Sequence, residues 1–146
     1  MAGTFNIKYK TRLKLQRAIQ NEIKKKGLTD TWDLYNSVRV SSATGDLNKL
    51  YITVNALYYY MFLDKGADLW NGGAIARQYI TKDALRSTLG LEFQQEAVNS
   101  YIEWMVANYP ILDIGKITVE KLNVVVRYNL FGDPDGSWNG TFDANL

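Results

Sequence analysis

The chain has 146 residues, 17 Lys and Arg against 15 Asp and Glu, and neither cysteine nor histidine. Without thiols there are no disulfides, thiolate nucleophiles or cysteine-ligated zinc or iron–sulfur centres. Without imidazole the commonest general base and metal ligand is missing, so any catalysis would have to run on carboxylates, lysines, tyrosines or hydroxyls. A chain of this length corresponds to one domain, able to bury roughly 70% of its unfolded surface without covalent staples. No stretch reaches the roughly 18 apolar residues that span a bilayer. The basic stretch from Met1 to Lys10 has no apolar segment after it, so no targeting signal is expected.

In chain order, Phe5 to Lys10 alternates apolar and polar residues and reads as a short strand or N-terminal arm. A helix is predicted from about Tyr9 to Lys26. Leu15, Ala18, Ile19 and Ile23 form its apolar stripe, Lys24 to Lys26 complement its negative end, and Gly27 is its left-handed stop. Thr29-Asp30-Thr31 offers capping oxygens to a short turn with Trp32, Leu34 and Tyr35. Val38–Ser41 and Leu50–Asn55 read as two strands of a hairpin, with Thr44-Gly45-Asp46 in the connection between them.

Ala56 to Gly66 is apolar nearly all round and is expected to be a short helix ended by Gly66. An irregular stretch from Ala67 to Gly73 contains Trp70. Helix is expected again from about Ile75 to Thr88, with a break or kink at Gly90. The clearest helix runs from Leu91 to Asn108. Val98, Tyr101, Ile102, Met105 and Tyr109 share one face of it, and Pro110 ends it. Ile117 to Tyr128 alternates as a strand, Asp133-Pro134-Asp135-Gly136 is turn chemistry, and Ser137 to Leu146 reads as a loose tail. The order α-β-β-α-α-β predicts an α+β domain: a small, mainly antiparallel β-sheet packed against the N-terminal helix and the long helix of the C-terminal half. Residues 1–136 form this single domain, with an arm at about 1–8. Residues 137–146 are the tail, expected to dock on a partner because Trp138 and Phe142 are costly to leave in water.

Charge is distributed unevenly. Residues 1–26 hold Lys8, Lys10, Arg12, Lys14, Arg17, Lys24, Lys25 and Lys26 against Glu22 alone, a net +7; with +2 overall, the remainder carries −5. Such asymmetry suggests a basic element facing something anionic, nucleic acid or an acidic protein surface, and a solvated helix face is the plainer reading.

Little else carries chemistry. Gly72-Gly73 and Asp64-Lys65-Gly66 lack the lysine–hydroxyl pattern of a phosphate-binding loop, and no serine sits in a nucleophile elbow. Asp133 and Asp135 flank Pro134 as turn residues. Glu92 and Glu96 share a helix face and read as solvated carboxylates. No catalytic, cofactor-binding or metal-ligating residue is expected, and Asn139-Gly140-Thr141 reads as a chance glycosylation match. The aromatic set says more: 10 Tyr, 5 Phe and 4 Trp. Tyr and Trp anchor interfaces because they bury a large ring yet keep a polar handle. Tyr58, Tyr59 and Tyr60 cannot all point one way on a helix, so at least one should face solvent or a partner.

The stretch Asp33-Leu34-Tyr35-Asn36-Ser37-Val38, the following hairpin, and Leu57-Tyr58-Tyr59-Tyr60-Met61-Phe62-Leu63-Asp64-Lys65-Gly66 resemble the head–tail joining (neck) and tail-completion proteins of tailed bacteriophages. That family has a basic N-terminal helix, a polar–leucine–x–x–serine–aliphatic lead into a strand, a hairpin, and a tyrosine-led helix ending in acid–aromatic–glycine. Lys65 stands here where the aromatic is usual. Tyr79 to Leu85 stands in the place of an arginine–proline–phenylalanine element, without the proline, and leads into the long amphipathic helix. The resemblance covers about residues 9–109.

The resemblance implies a non-enzymatic virion protein, made in the host cytoplasm. It would form a homo-oligomeric ring of six- or twelve-fold symmetry around the DNA exit channel, between portal-side adaptor and tail proteins, with no cofactor and only non-specific proximity to genomic DNA. Strong attraction to phosphates would retard DNA sliding through such a channel. Lys8, Lys10, Arg12, Lys14 and Arg17 are therefore expected to meet protein rather than DNA. Together with Tyr58, Tyr59, Tyr60, Trp70, Trp138 and Phe142 they are the candidate partner-binding residues. The alternative is a small DNA-binding regulator that uses the basic N-terminal helix.

Overall fold

A computed structural model describes residues 5–45, 49–68, 72–108 and 123–145. The chain opens with a short strand, β1 (Phe5–Asn6), followed by α1 (Tyr9–Lys25) and a one-turn helix α2 (Asp33–Ser37). Leu15, Ala18, Ile19 and Ile23 are all buried on one side of α1, as the periodicity predicts. Gly27 terminates the helix with φ +74°, and Leu28 N–H reaches back to the Ile23 carbonyl. Strands β2 (Arg39–Gly45) and β3 (Lys49–Leu57) form the expected hairpin. It is longer than the alternation suggests. Thr44 and Gly45 lie within β2, paired with Tyr51 and Leu50 on one side and with β1 on the other. Only glycine fits at position 45, because an added Cβ would lie 2.4 Å from the Phe5 ring and 2.6 Å from the Lys49 carbonyl oxygen.

Ala56 and Leu57 finish β3, so the tyrosine-led helix α3 begins only at Tyr59 and runs to Lys65, with Gly66 at φ +77° behind it. The irregular segment after it contains a two-residue ladder, β4 (Ala67–Asp68) with β5 (Ala74–Ile75). Ile75 is therefore strand, not helix. Helix α4 (Ile80–Arg86) starts after Tyr79, which takes a left-handed conformation (φ 55°) with the Arg77 guanidinium 4.3 Å from its ring centroid.

Helix α5 (Thr88–Asn108) begins before Gly90 rather than after it. The break falls at Ser87, whose Oγ accepts the Gly90 N–H at 3.2 Å and so caps the new helix. Gly90 is a contact glycine: a Cβ there would lie 1.9 Å from the Ala84 carbonyl oxygen. Val98, Tyr101 and Met105 are buried on α5 and Ile102 partly so. Tyr109, Pro110 and the residues expected as strand from 117 to 122 lie outside the described residues.

Strand β6 (Asn123–Phe131) pairs parallel with β3 in unbroken register, from Lys49 opposite Asn123 to Leu57 opposite Phe131. The main sheet has order β1-β2-β3-β6-β7, and every other neighbouring pair in it is antiparallel. The last strand, β7 (Gly140–Asn145), corrects the reading of residues 137–146 as a loose tail: Thr141, Phe142 and Asp143 pair with Asn129, Tyr128 and Arg127. The turn before it is built by Asp133, which accepts the Asp135 and Trp138 N–H groups at 3.1 and 2.8 Å, and by Gly136 at φ +77°.

Leu50, Ile52, Val54 and Ala56 of β3 and Val126, Tyr128 and Leu130 of β6 join α1, α4 and α5 residues in one buried core. The other face of the sheet is largely polar. Ser42 and Thr53 hydroxyls meet at 2.9 Å, Arg127 donates to Asp143 at 2.9 Å, and the same guanidinium lies 5.1 Å from the Tyr51 ring centroid. The result is the expected α+β architecture, with a mainly antiparallel sheet against the N-terminal and long helices.

Candidate interaction surfaces

The basic residues of α1 divide into two sets. Lys14 turns toward α5, where its ammonium meets Glu96 at 2.6 Å and Glu92 at 3.9 Å. Hydrogen bonding to Lys14, and then to Thr11, holds the Glu96 carboxyl below its ordinary value; the same bond raises the Lys14 ammonium. Glu92 and Glu96 are thus partners within the chain rather than merely solvated. Arg12 donates to the carbonyls of Val40, at 3.2 Å, and Ser41, and its guanidinium sits 5.4 Å from the Tyr9 ring centroid. Lys26 joins Asp83 at 2.6 Å and Glu22 at 3.8 Å, tying the end of α1 to α4. Arg12 and Lys14 are expected from the sequence to contact partners, yet their charges are already engaged by β2 and α5. Lys8, Lys10, Arg17, Lys24 and Lys25 are exposed.

The three tyrosines also separate. Tyr60 is fully buried, which corrects its place among the partner-facing residues: its hydroxyl bonds to Thr81 Oγ1 at 2.6 Å. Tyr58 and Tyr59 are half-buried and pack edge to face at 5.3 Å. Trp138, 44% exposed, sits edge-on to Phe62 of α3 at 4.9 Å and 6.3 Å from Phe142 of β7. These three rings bring the C-terminal aromatics onto their own domain. Trp70 lies outside the described residues.

Nothing in the local residue pattern points to the most buried polar cluster. Asp64, at the end of α3, is 3% exposed. Its Oδ2 accepts the Tyr128 hydroxyl at 2.5 Å and the Thr81 hydroxyl at 2.6 Å, and its Oδ1 accepts the Thr81 N–H at 2.8 Å. Thr81 Oγ1 thus donates to Asp64 while accepting from Tyr60. Burial, followed by the nearby Asp64 charge, raises both the Tyr128 and Tyr60 hydroxyls well above their ordinary value. The cluster joins α3, α4 and β6, and its donors and acceptors satisfy one another.

Among the described residues, no group of three or more acidic residues is placed to hold a metal ion, and no helix is long and apolar enough to cross a membrane. No family model matches the chain, and no curated protein or solved structure matches it.

Proposed function

We propose that the chain is a structural subunit of a tailed-phage neck, forming a ring between portal-side proteins and the tail around the DNA exit channel. The observation that carries this reading is the succession of elements over the segment that bears the resemblance. A basic helix α1 is followed by the Asp33–Ser37 lead, the β2–β3 hairpin, a tyrosine-led helix stopped by Gly66, and a short helix running into the long α5. Support also comes from the surface: Trp138 is 44% exposed, and tryptophan is a residue type that anchors interfaces. The role requires no catalysis and no cofactor.

Electron microscopy of the protein with the products of its neighbouring genes tests the proposal. Rings of fixed copy number bound to portal-side or tail proteins are expected; a chain that joins no such particle sinks it. The second reading, a small DNA-binding regulator, is favoured by the exposed Lys8, Lys10, Arg17, Lys24 and Lys25. A regulator would show site-specific binding, whereas a neck subunit would bind DNA weakly and without regard to sequence.

A further inference from the structure

Helices α1 and α5 carry nearly the same spacing with opposite charge. On α1, Lys10, Lys14, Arg17, Asn21 and Lys24 follow one another at alternating steps of four and three residues. That spacing holds them on one side of the helix, away from buried Leu15, Ala18, Ile19 and Ile23. On α5, Glu92, Glu96, Asn99 and Glu103 follow the same steps, away from buried Phe93, Ala97, Tyr101 and Met105. The α1 stripe is about 21 Å long and the α5 stripe about 16 Å, at 1.5 Å of rise per residue.

Within the chain these stripes meet at Lys14, which takes Glu96 and Glu92. Among the described residues no ion pair involves Arg17, Lys24, Lys25 or Glu103. Both helices turn their charged sides away from the core, so one copy cannot bring the rest of its two stripes together. Two apolar side chains accompany the acidic stripe: Val106, one step beyond Glu103, is 48% exposed, and Leu91, beside Glu92, is 57% exposed.

We infer that copies of this chain associate head to tail, the α1 stripe of one docking on the α5 stripe of the next. The two patches differ, so the contact is heterologous and repeats from copy to copy. Opposite charges set orientation and register, and burial of Leu91 and Val106 adds the apolar contribution. The inference rests on the neck reading for one point alone, the closure of successive contacts into a ring. It gives the surplus charge of α1 a protein counterpart, in preference to DNA, because the complementary stripe is present on the same chain with the same spacing.

Charge reversal tests the contact with the full-length protein. One variant carries Arg17→Glu and Lys24→Glu; the other carries Asn99→Lys and Glu103→Lys, which leaves Lys14 with both Glu92 and Glu96. Circular dichroism verifies that both are folded, and sedimentation velocity and native mass spectrometry read their assembly. Each variant alone should lose the oligomer. Their equimolar mixture should regain it, with the two variants in equal number, because each reversed stripe then faces a complementary one. If both variants alone assemble as the unmodified chain does, or if the mixture stays monomeric, the contact is overturned while the ring reading stands. An unmodified chain that is monomeric at every concentration overturns the self-association on which both rest. If the first variant assembles normally but loses retention on duplex DNA, the α1 stripe serves nucleic acid and the inference fails.

Discussion

The Tyr128 hydroxyl donates to Asp64 Oδ2 at 2.5 Å, across 64 residues of sequence and at a site closed to solvent. The bond fixes the end of α3 to the centre of β6, and Thr81 extends it to the first turn of α4. A carboxylate in such a place is tolerable because hydroxyl and backbone donors surround it.

Tyr128→Phe removes one of these donors and leaves the Asp64 oxygen short of a partner. A loss of about 1–3 kcal/mol in unfolding free energy is expected, measured by urea denaturation. The variant should also respond differently to alkali. Tyrosines whose folded value is raised above 10.0 contribute stability that is full below that pH and is lost as pH climbs beyond it. The decline above pH 10 should therefore be shallower in Tyr128→Phe, with Tyr60, Tyr59 and Lys14 left to supply the rest. An unchanged decline would show that alkaline unfolding starts elsewhere.

The Lys14–Glu96 pair governs the opposite end of the pH scale. Glu96 is held below 4.5, so its contribution is present above that pH and fades as pH falls through the lower folded value. Thermal melts of the unmodified chain and Glu96→Gln should differ modestly near neutrality and converge in acid. Lys14 is raised above 10.5, so its side of the pair persists to that pH and is lost only above it. Salt should narrow the neutral gap, because both side chains keep contact with solvent.

Gly90→Ala sets two effects against each other. Alanine is favoured over glycine by about 1 kcal/mol in a helix interior, and by less in the first turn, where Gly90 lies. Here the added methyl would sit 1.9 Å from the Ala84 carbonyl and 2.6 Å from Leu85 Cα, both backbone atoms. Backbone does not swing aside as a side chain can, so overpacking at about 1–3 kcal/mol should prevail and lower the melting temperature. A more stable variant would show that α4 can retreat from α5.

The C-terminal aromatics are better tested by a point substitution than by truncation. Deleting residues 137–146 would strip β7 from β6, and the expected result is loss of soluble, folded protein whatever the segment does in assembly. Trp138→Ala spares the strand. Its packing against Phe62 and Phe142 is worth about 0.5–1.5 kcal/mol per ring pair, so the fold should survive. If Trp138 also contacts a partner, co-assembly with neck proteins should fall well beyond what the change in stability explains; unimpaired assembly would confine the ring to the domain.

What could be read in the sequence was local. The stripe of α1, its Gly27 stop and the β2–β3 alternation depend on neighbours a few residues apart; the helix and its stop appear where that pattern puts them, and the two strands do too but extend beyond it. The errors arise where distant residues decide. β7 includes Gly140, Asp143, Ala144 and Asn145, all poor strand-formers, and its Asp143 is made acceptable by Arg127 on the neighbouring strand. Gly90 resembles a helix breaker, but its lack of a side chain answers to α4 packed against it. Among the candidate contact residues, exposure of Arg17 and Lys24 follows from helical period, whereas the diversion of Arg12 and Lys14 depends on β2 and α5.

The parallel register of β3 with β6 also governs how the protein is made. On the ribosome, α1 and the β2–β3 hairpin emerge complete while the strand that must cover the other side of β3 is still to be synthesised. For that interval β3 offers nine residues of unsatisfied edge, backed by Leu50, Ile52 and Val54. The sheet closes only after a loop of more than 60 residues has been brought together, an entropically costly and late event. In a cell producing many copies at once, nascent chains are therefore most prone to pair with one another during this window, before each has supplied its own β6.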